Sequence, residues 1–152
     1  MREFVIAIIA SFVATLGYSL VYNIKGKNLI IATLNGAFSW AVYLVCQHFF
    51  DSVVFSFFMA GAATAVYAEL AAYFFKTPAT VYLIPGIIPL VPGLTVYRTV
   101  ESGLFGELEA FGEGLLSTIK IGGAIALGLI FMSAFIRLIR SAHVIAKTKA
   151  KG

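Results

Sequence analysis

The chain has 152 residues, of which 61% are hydrophobic and only 12% charged, with a mean hydropathy of +0.97. Soluble domains sit near half apolar and about a quarter charged, so a soluble globular protein is excluded. The net charge of +4 is no nucleic-acid footprint, because the basic residues fall between apolar runs and at the tail; a single cysteine, Cys46, excludes a disulfide framework.

Apolar runs of about 20 residues, the width of a bilayer core, follow one another along the chain. The first spans 4–23. Its apolar core is too long for a signal peptide and no clear cleavage site follows, so it reads as a retained helix. The others span 29–49, 52–75, 79–100 and about 115–139. The short links "KGK", "FD" and "KTP" leave no room for a soluble domain. The expected architecture is an all-α integral membrane domain of five transmembrane helices, filling residues 1–152 as a single unit. Between the last two runs, Leu104, Leu108, Phe111 and Leu115 recur at helical spacing with Glu107, Glu109 and Glu113 among them. That pattern predicts a short amphipathic helix on the outer surface, about 101–113. A basic tail, 140–152, closes the chain.

Charge orients the bundle. In a five-span arrangement one side receives Lys25, Lys27, Lys76, Arg137, Arg140, Lys147, Lys149 and Lys151, and the other receives Arg2, Arg98 and Lys120. The richer side is cytoplasmic by the positive-inside rule. The expectation is a multi-pass protein of the cytoplasmic membrane, N-terminus outside and C-terminus inside. Every acidic residue except Glu69 falls outside; Glu69 lies within the third run.

The fourth run is interrupted by "IPGIIPLVPGL", residues 84–94. Each proline removes a hydrogen bond to the carbonyl four residues back, so Pro85, Pro89 and Pro92 free the carbonyls of Val81, Pro85 and Ile88. Bare carbonyls cannot face lipid. Gly86 and Gly93 add freedom and permit close backbone approach. Thr77 and Pro78 read as N-cap and first helical residue. The run is therefore expected as two half-helices around an unwound middle, the device with which transporters hold substrate near the midplane. The candidate substrate-binding residues are Asn35, Pro85, Gly86, Pro89, Pro92, Gly93, Tyr97 and Arg98. A kink or re-entrant loop that merely packs is the competing reading.

Depth adds to this. Counted inward from the cytoplasmic ends of their runs, Asn35, Glu69 and Pro85 each lie about six residues, or roughly 9 Å, deep. An intramembrane carboxylate is costly, and Glu69 is the candidate proton-coupling group; a salt bridge to Lys76 or snorkelling is the structural alternative. His48 and Asp51, three apart at the outer boundary, make only a weak metal signal, so no metal and no cofactor is expected.

The segments "AEL", "KTPAT", "IPGIIPLVPG" and "YR", within 68–98, resemble the signature of the threonine/serine exporter family. The resemblance is to the short membrane subunit that matches the C-terminal half of full-length exporters, similar to the small subunit of two-component bacterial succinate exporters. It implies proton-motive-force-linked export of small amino acids or carboxylates, no enzymatic activity, and a larger membrane subunit as partner. Small-residue pairs at Gly61/Ala65, Gly122/Ala126 and Ala124/Gly128 suit close helix contacts within the chain or with that partner. The alternative is a structural membrane subunit whose partner carries the transport site.

Overall fold

A computed structural model describes residues 2–149, with side chains for 2–140. It is helical: α1 (Arg2–Val21), α2 (Lys27–Phe50), α3 (Val53–Phe75), α4 (Thr80–Ile87), a 3-10 turn (Ile88–Leu90), α5 (Gly93–Leu104) and α6 (Leu108–Lys149). Among the described residues four helices, α1, α2, α3 and α6, are long and apolar enough to cross a membrane. The count rises to five if Thr80–Leu90 and Gly93–Leu104, which meet at 52°, form one crossing.

α3 is the hub, packed against α6, α2 and α4, while α1 packs on α2 and α5 on α6. Small side chains allow this. Ser56, Ala60, Gly61, Ala62, Thr64, Ala65, Ala68 and Ala71 are all buried on α3. A Cβ on Gly61 would lie 2.8 Å from the Ile125 carbonyl oxygen, and one on Gly128 would lie 2.9 Å from the Ala62 nitrogen and collide with the Phe58 carbonyl. α3 and α6 thus touch backbone to backbone, the contact that replaces hydrophobic driving force between helices in lipid. Of the three small-residue pairs, Gly61/Ala65 and Ala124/Gly128 build this seam. Gly122 and Ala126 are exposed, and a Cβ on Gly122 would meet nothing within 4 Å.

α1 meets α2 through a polar stripe. Ser11, Thr15 and Ser19 are buried and donate to the carbonyls of Ile8, Ser11 and Thr15 at 2.7–2.8 Å. Each hydroxyl is satisfied within its own helix, so the stripe is thin without being unpaired. Thr15 abuts the bare backbone of Gly36, where a Cβ would collide with it. The outer faces carry exposed apolar side chains such as Val5, Ile9 and Val13 on α1 and Leu127, Ile130 and Phe131 on α6.

One expectation needs correction. The separate surface helix at 101–113 is absent. Residues 101–104 finish α5, and Leu108 onward begins α6. The chain turns at Gly106, whose φ of 79° a glycine adopts freely. Glu107 N–H bonds back to the Ser102 carbonyl (2.9 Å) and Gly106 N–H to that of Gly103 (3.4 Å), a glycine-terminated helix end. The basic segment after Ile139 continues α6 as far as Lys149, making that helix 42 residues long. No proline lies beyond Pro92, so nothing in the sequence stops it.

The seam predicts a contrast. Gly128→Val should lower stability by about 1–3 kcal/mol through overpacking, while Gly122→Ala should stay within about 0.5 kcal/mol. Thermal unfolding of the two variants in the same detergent measures the difference.

Candidate functional site

Asn35 is the centre of the buried polar groups. It is fully shut from solvent on α2, and its Nδ2 donates to the Tyr82 carbonyl on α4 (3.0 Å) and the Thr64 carbonyl on α3 (3.4 Å). One amide therefore ties three helices together. Gly86 lies directly against it: a Cβ there would collide with the Asn35 amide and sit 2.9 Å from the Thr64 methyl. Ser39, one turn along α2, lies 2.6 Å from the Thr64 hydroxyl and bonds the Asn35 carbonyl (2.7 Å); Thr64 donates to the Ala60 carbonyl (2.7 Å). Tyr82, also fully buried, donates through its hydroxyl to Asn28 Oδ1 at 2.7 Å. Asn35 Oδ1 is buried and has no hydrogen-bond partner. The amide orientation follows from its surroundings, because the opposite one would set an oxygen against two carbonyls.

The candidate residues fall into two groups. Asn35, Pro85 and Gly86 are buried together. Pro89 and Pro92 are half-buried along the bend, and Gly93, Tyr97 and Arg98 are exposed on α5. Arg98 lines a different feature, a cleft of about 270 Å³ between α5 and α6 shared with Thr95, Ser102 and Ser117. Sequence reasoning missed Ser39, Thr64 and Tyr82. The spacing of Ser39, four residues after Asn35, was the available signal for it.

Two of the three freed carbonyls do not stay free. Ile88 N–H bonds the Pro85 carbonyl, and Val91 N–H bonds that of Ile88 (3.3 Å). The chain tightens into 3-10 geometry and absorbs the loss. Pro92, at φ −75° and ψ 54°, centres an inverse γ-turn closed by Gly93 N–H on the Val91 carbonyl at 2.7 Å. Among the described residues, the N–H groups of Leu94 and Thr95 have no backbone acceptor. Thr77 and Pro78 do not cap α4 as expected. The Thr77 hydroxyl turns back to the Phe75 carbonyl (3.1 Å), and α4 starts after Ala79.

Glu69 does not share the level of Asn35. Asn35 meets α3 at Thr64, five residues or about 7.5 Å along the helix. Nor does Glu69 pair with Lys76. Its carboxylate, in a side chain only 7% exposed, takes Arg140 Nη1 at 3.3 Å and Arg137 Nε at 3.7 Å, both from α6. Arg140 Nη2 also donates to the Glu69 carbonyl (2.9 Å), and its guanidinium lies 5.3 Å from the centre of the Tyr73 ring. Lys76 instead takes the left-handed position that ends α3. Among the described residues, no group of three metal-ligating side chains converges.

The family model described as "Threonine/Serine exporter, ThrE" matches residues 7–135. The chain belongs to the threonine/serine exporter family. No curated protein and no solved structure matches it. With its apolar helices, membership in this exporter family makes the chain a multi-pass membrane protein of the transporter class. The matched region contains Asn35, Glu69 and the bend, and ends before Arg137 and Arg140.

The clasp on Glu69 yields a ranked prediction. Arg137, whose side chain is 76% exposed, should be worth under about 1 kcal/mol. Arg140 makes two contacts, so Arg140→Gln should cost about 1–3 kcal/mol by stranding the Glu69 carboxylate. Equal unfolding midpoints for Arg137→Gln and Arg140→Gln would contradict this ranking.

Proposed function

We propose that this chain is a transport subunit of a secondary exporter of small amino acids or carboxylates in the cytoplasmic membrane. It works with a second, larger membrane subunit and is driven by the proton motive force. The observation that carries this reading is Asn35. A wholly buried amide ties α2 to the carbonyls of α3 and α4 beside a glycine, where the chain is about to bend, and leaves one acceptor unpartnered. A helix that only packed would gain from apolar residues there, since a buried unpaired acceptor costs about 1–3 kcal/mol. The structure has this locus shut; in this reading, motion of α4 about the 88–92 bend opens it. Taken as one crossing, Thr80–Leu104 is the broken fourth span.

Glu69 is the coupling group in this reading. Protonation removes the charge that holds Arg140 and Arg137, and the α3–α6 contact loosens at the end where it is ionic. The partner is supported by the exposed Gly122/Ala126 face, a small-residue surface left open among the described residues. The same face supports the second reading, a structural subunit whose partner holds the transport site.

Efflux separates the two. In cells expressing this chain with its larger subunit, Gly86→Ala forces a methyl group against Asn35 and should cut export at least about tenfold at unchanged abundance, a barrier change near 1.4 kcal/mol. Glu69→Gln should assemble and lose the response to a pH gradient. Wild-type efflux from both variants would leave the structural reading.

Topology is tested separately. With the C-terminus cytoplasmic, a cysteine at Ala150, a position outside the described residues, should resist impermeant thiol reagents in intact cells. Cys46 is buried and contributes little background. Ready labelling from outside would reverse the assignment.

A further inference from the structure

α5 is amphipathic in the reverse of the soluble pattern. Thr95, Arg98, Thr99 and Ser102, at helical spacing, line the cleft against α6, while Val96, Tyr97 and Val100 are exposed. Gly114 lets Thr99 seat against α6, since a Cβ there would collide with the Thr99 hydroxyl. That hydroxyl donates to the Thr95 carbonyl (2.7 Å). Among the described residues, the hydroxyls of Thr95, Ser102 and Ser117 donate to no protein group, and Arg98 forms no ion pair. A cleft of about 270 Å³ therefore holds one guanidinium and three hydroxyl donors with nothing to receive them.

Depth narrows the ligand. α3 and α6 run parallel with Gly61 against Ile125. Val53, the first residue of α3, lies eight residues before Gly61, and Ser117 lies eight before Ile125, so the two stand level. At 23 residues α3 is about 35 Å long, close to the hydrocarbon core of about 30 Å. The cleft, which runs from Ser117 to Ala110 along α6, thus rises from the edge of the core through the headgroup layer, on the membrane face opposite the Glu69 clasp. Leu94 and Val96 stand at its core end, beside the acyl chains.

Charge narrows it further. A phosphodiester offers oxygens that only accept, and a planar guanidinium can take two of them. Sharing Ala110 with the cleft is an open depression of about 450 Å³ lined by Glu107, Glu109 and Glu113. These carboxylates repel a purely anionic ligand and suit an ammonium group beyond the phosphate. The charges of an α-amino acid sit on a single carbon, close together. Those of a phosphoethanolamine headgroup are set apart by an ethylene spacer, as the two depressions are set apart by Ala110.

We propose that the α5–α6 cleft is a phospholipid headgroup site selective for phosphatidylethanolamine. Arg98, with the Ser102 and Ser117 hydroxyls, holds the phosphate, and Glu109 and Glu113 hold the ammonium. The site is separate from the Asn35 locus and does not depend on the transport reading.

Native mass spectrometry of the full-length chain in detergent counts bound lipid during titration with phosphatidylethanolamine, phosphatidylglycerol and phosphatidylcholine of identical acyl chains. Phosphatidylethanolamine should show one saturable binding event tighter than any with the other two, because phosphatidylglycerol lacks the ammonium and phosphatidylcholine lacks its N–H donors. Arg98→Gln should weaken that event at least about tenfold, the loss of one charge-assisted contact. Ser117→Ala should weaken it severalfold and guards against misfolding of the first variant. Glu113→Gln should reduce the preference over phosphatidylglycerol. Equal binding of the three lipids, indifference to Arg98→Gln in a folded protein, or no specific lipid binding would each overturn the assignment. Inorganic phosphate and L-serine are added as competitors at millimolar concentration. Displacement of the lipid by phosphate would make the cleft a soluble-anion site, and displacement by L-serine would make it a substrate site, and either result would overturn the lipid assignment.

Discussion

Within a bilayer every backbone polar group must find its partner inside the protein. The segment 84–94 places three prolines against that constraint, and much of the surrounding structure answers it. Two carbonyls are recovered by tightening the chain into a 3-10 turn, and the turn at Pro92 is closed by its neighbours. The Tyr82 carbonyl is met from another helix, by Asn35. Gly86 follows from that contact, because the amide needs the space that any side chain there would fill. Asn35 thereby becomes the one residue on α2 that is bonded to both α3 and α4.

The second constraint is packing without water. Lipid tails do not drive helices together, so close contact must come from shape. α3 meets this with small residues on most of its circumference, and α6 answers at Ala124 and Gly128. The ionic clasp at Glu69 lies on the same α3–α6 seam, nearer the C-terminal ends of both helices. Backbone contact and ion pair together make this interface close-packed over several turns and charge-dependent at one end.

The first three helices were legible from apolar run length alone, since α1, α2 and α3 are interrupted only by short polar links. The bend was legible from Pro85, Pro89 and Pro92. Its internal accounting was not, because whether a freed carbonyl stays open depends on what the next two or three residues do, and 3-10 tightening leaves no mark in composition. The pattern at 101–113 misled because a helical period runs through Gly106 without showing that the glycine reverses the chain. Glu69 misled through distance along the chain. Lys76 is seven residues away and Arg140 seventy-one, yet α6 runs parallel to α3 and brings the arginines beside Glu69. Ser39 and Thr64, hydroxyls in apolar helices, look like ordinary residues bonded to their own backbone, as the α1 stripe in fact is. Only tertiary placement separates the two cases.

Thr64 and Glu69 stand five residues apart on one helix, and this separates two tasks within the proposed mechanism. The locus at Asn35 is built from neutral groups, and the charged group is held on another face of α3 by α6. A carboxylate kept in its own ion pair can exchange a guanidinium for a proton without entering the substrate's coordination. What joins them is α3 itself, a continuous helix of 23 residues. Loosening of α6 at Glu69 alters the restraint on α3, and any shift of α3 moves the Thr64 carbonyl on which the Asn35 amide hangs. Coupling in such an arrangement needs no contact between proton and substrate, only one helix whose position both of them bias.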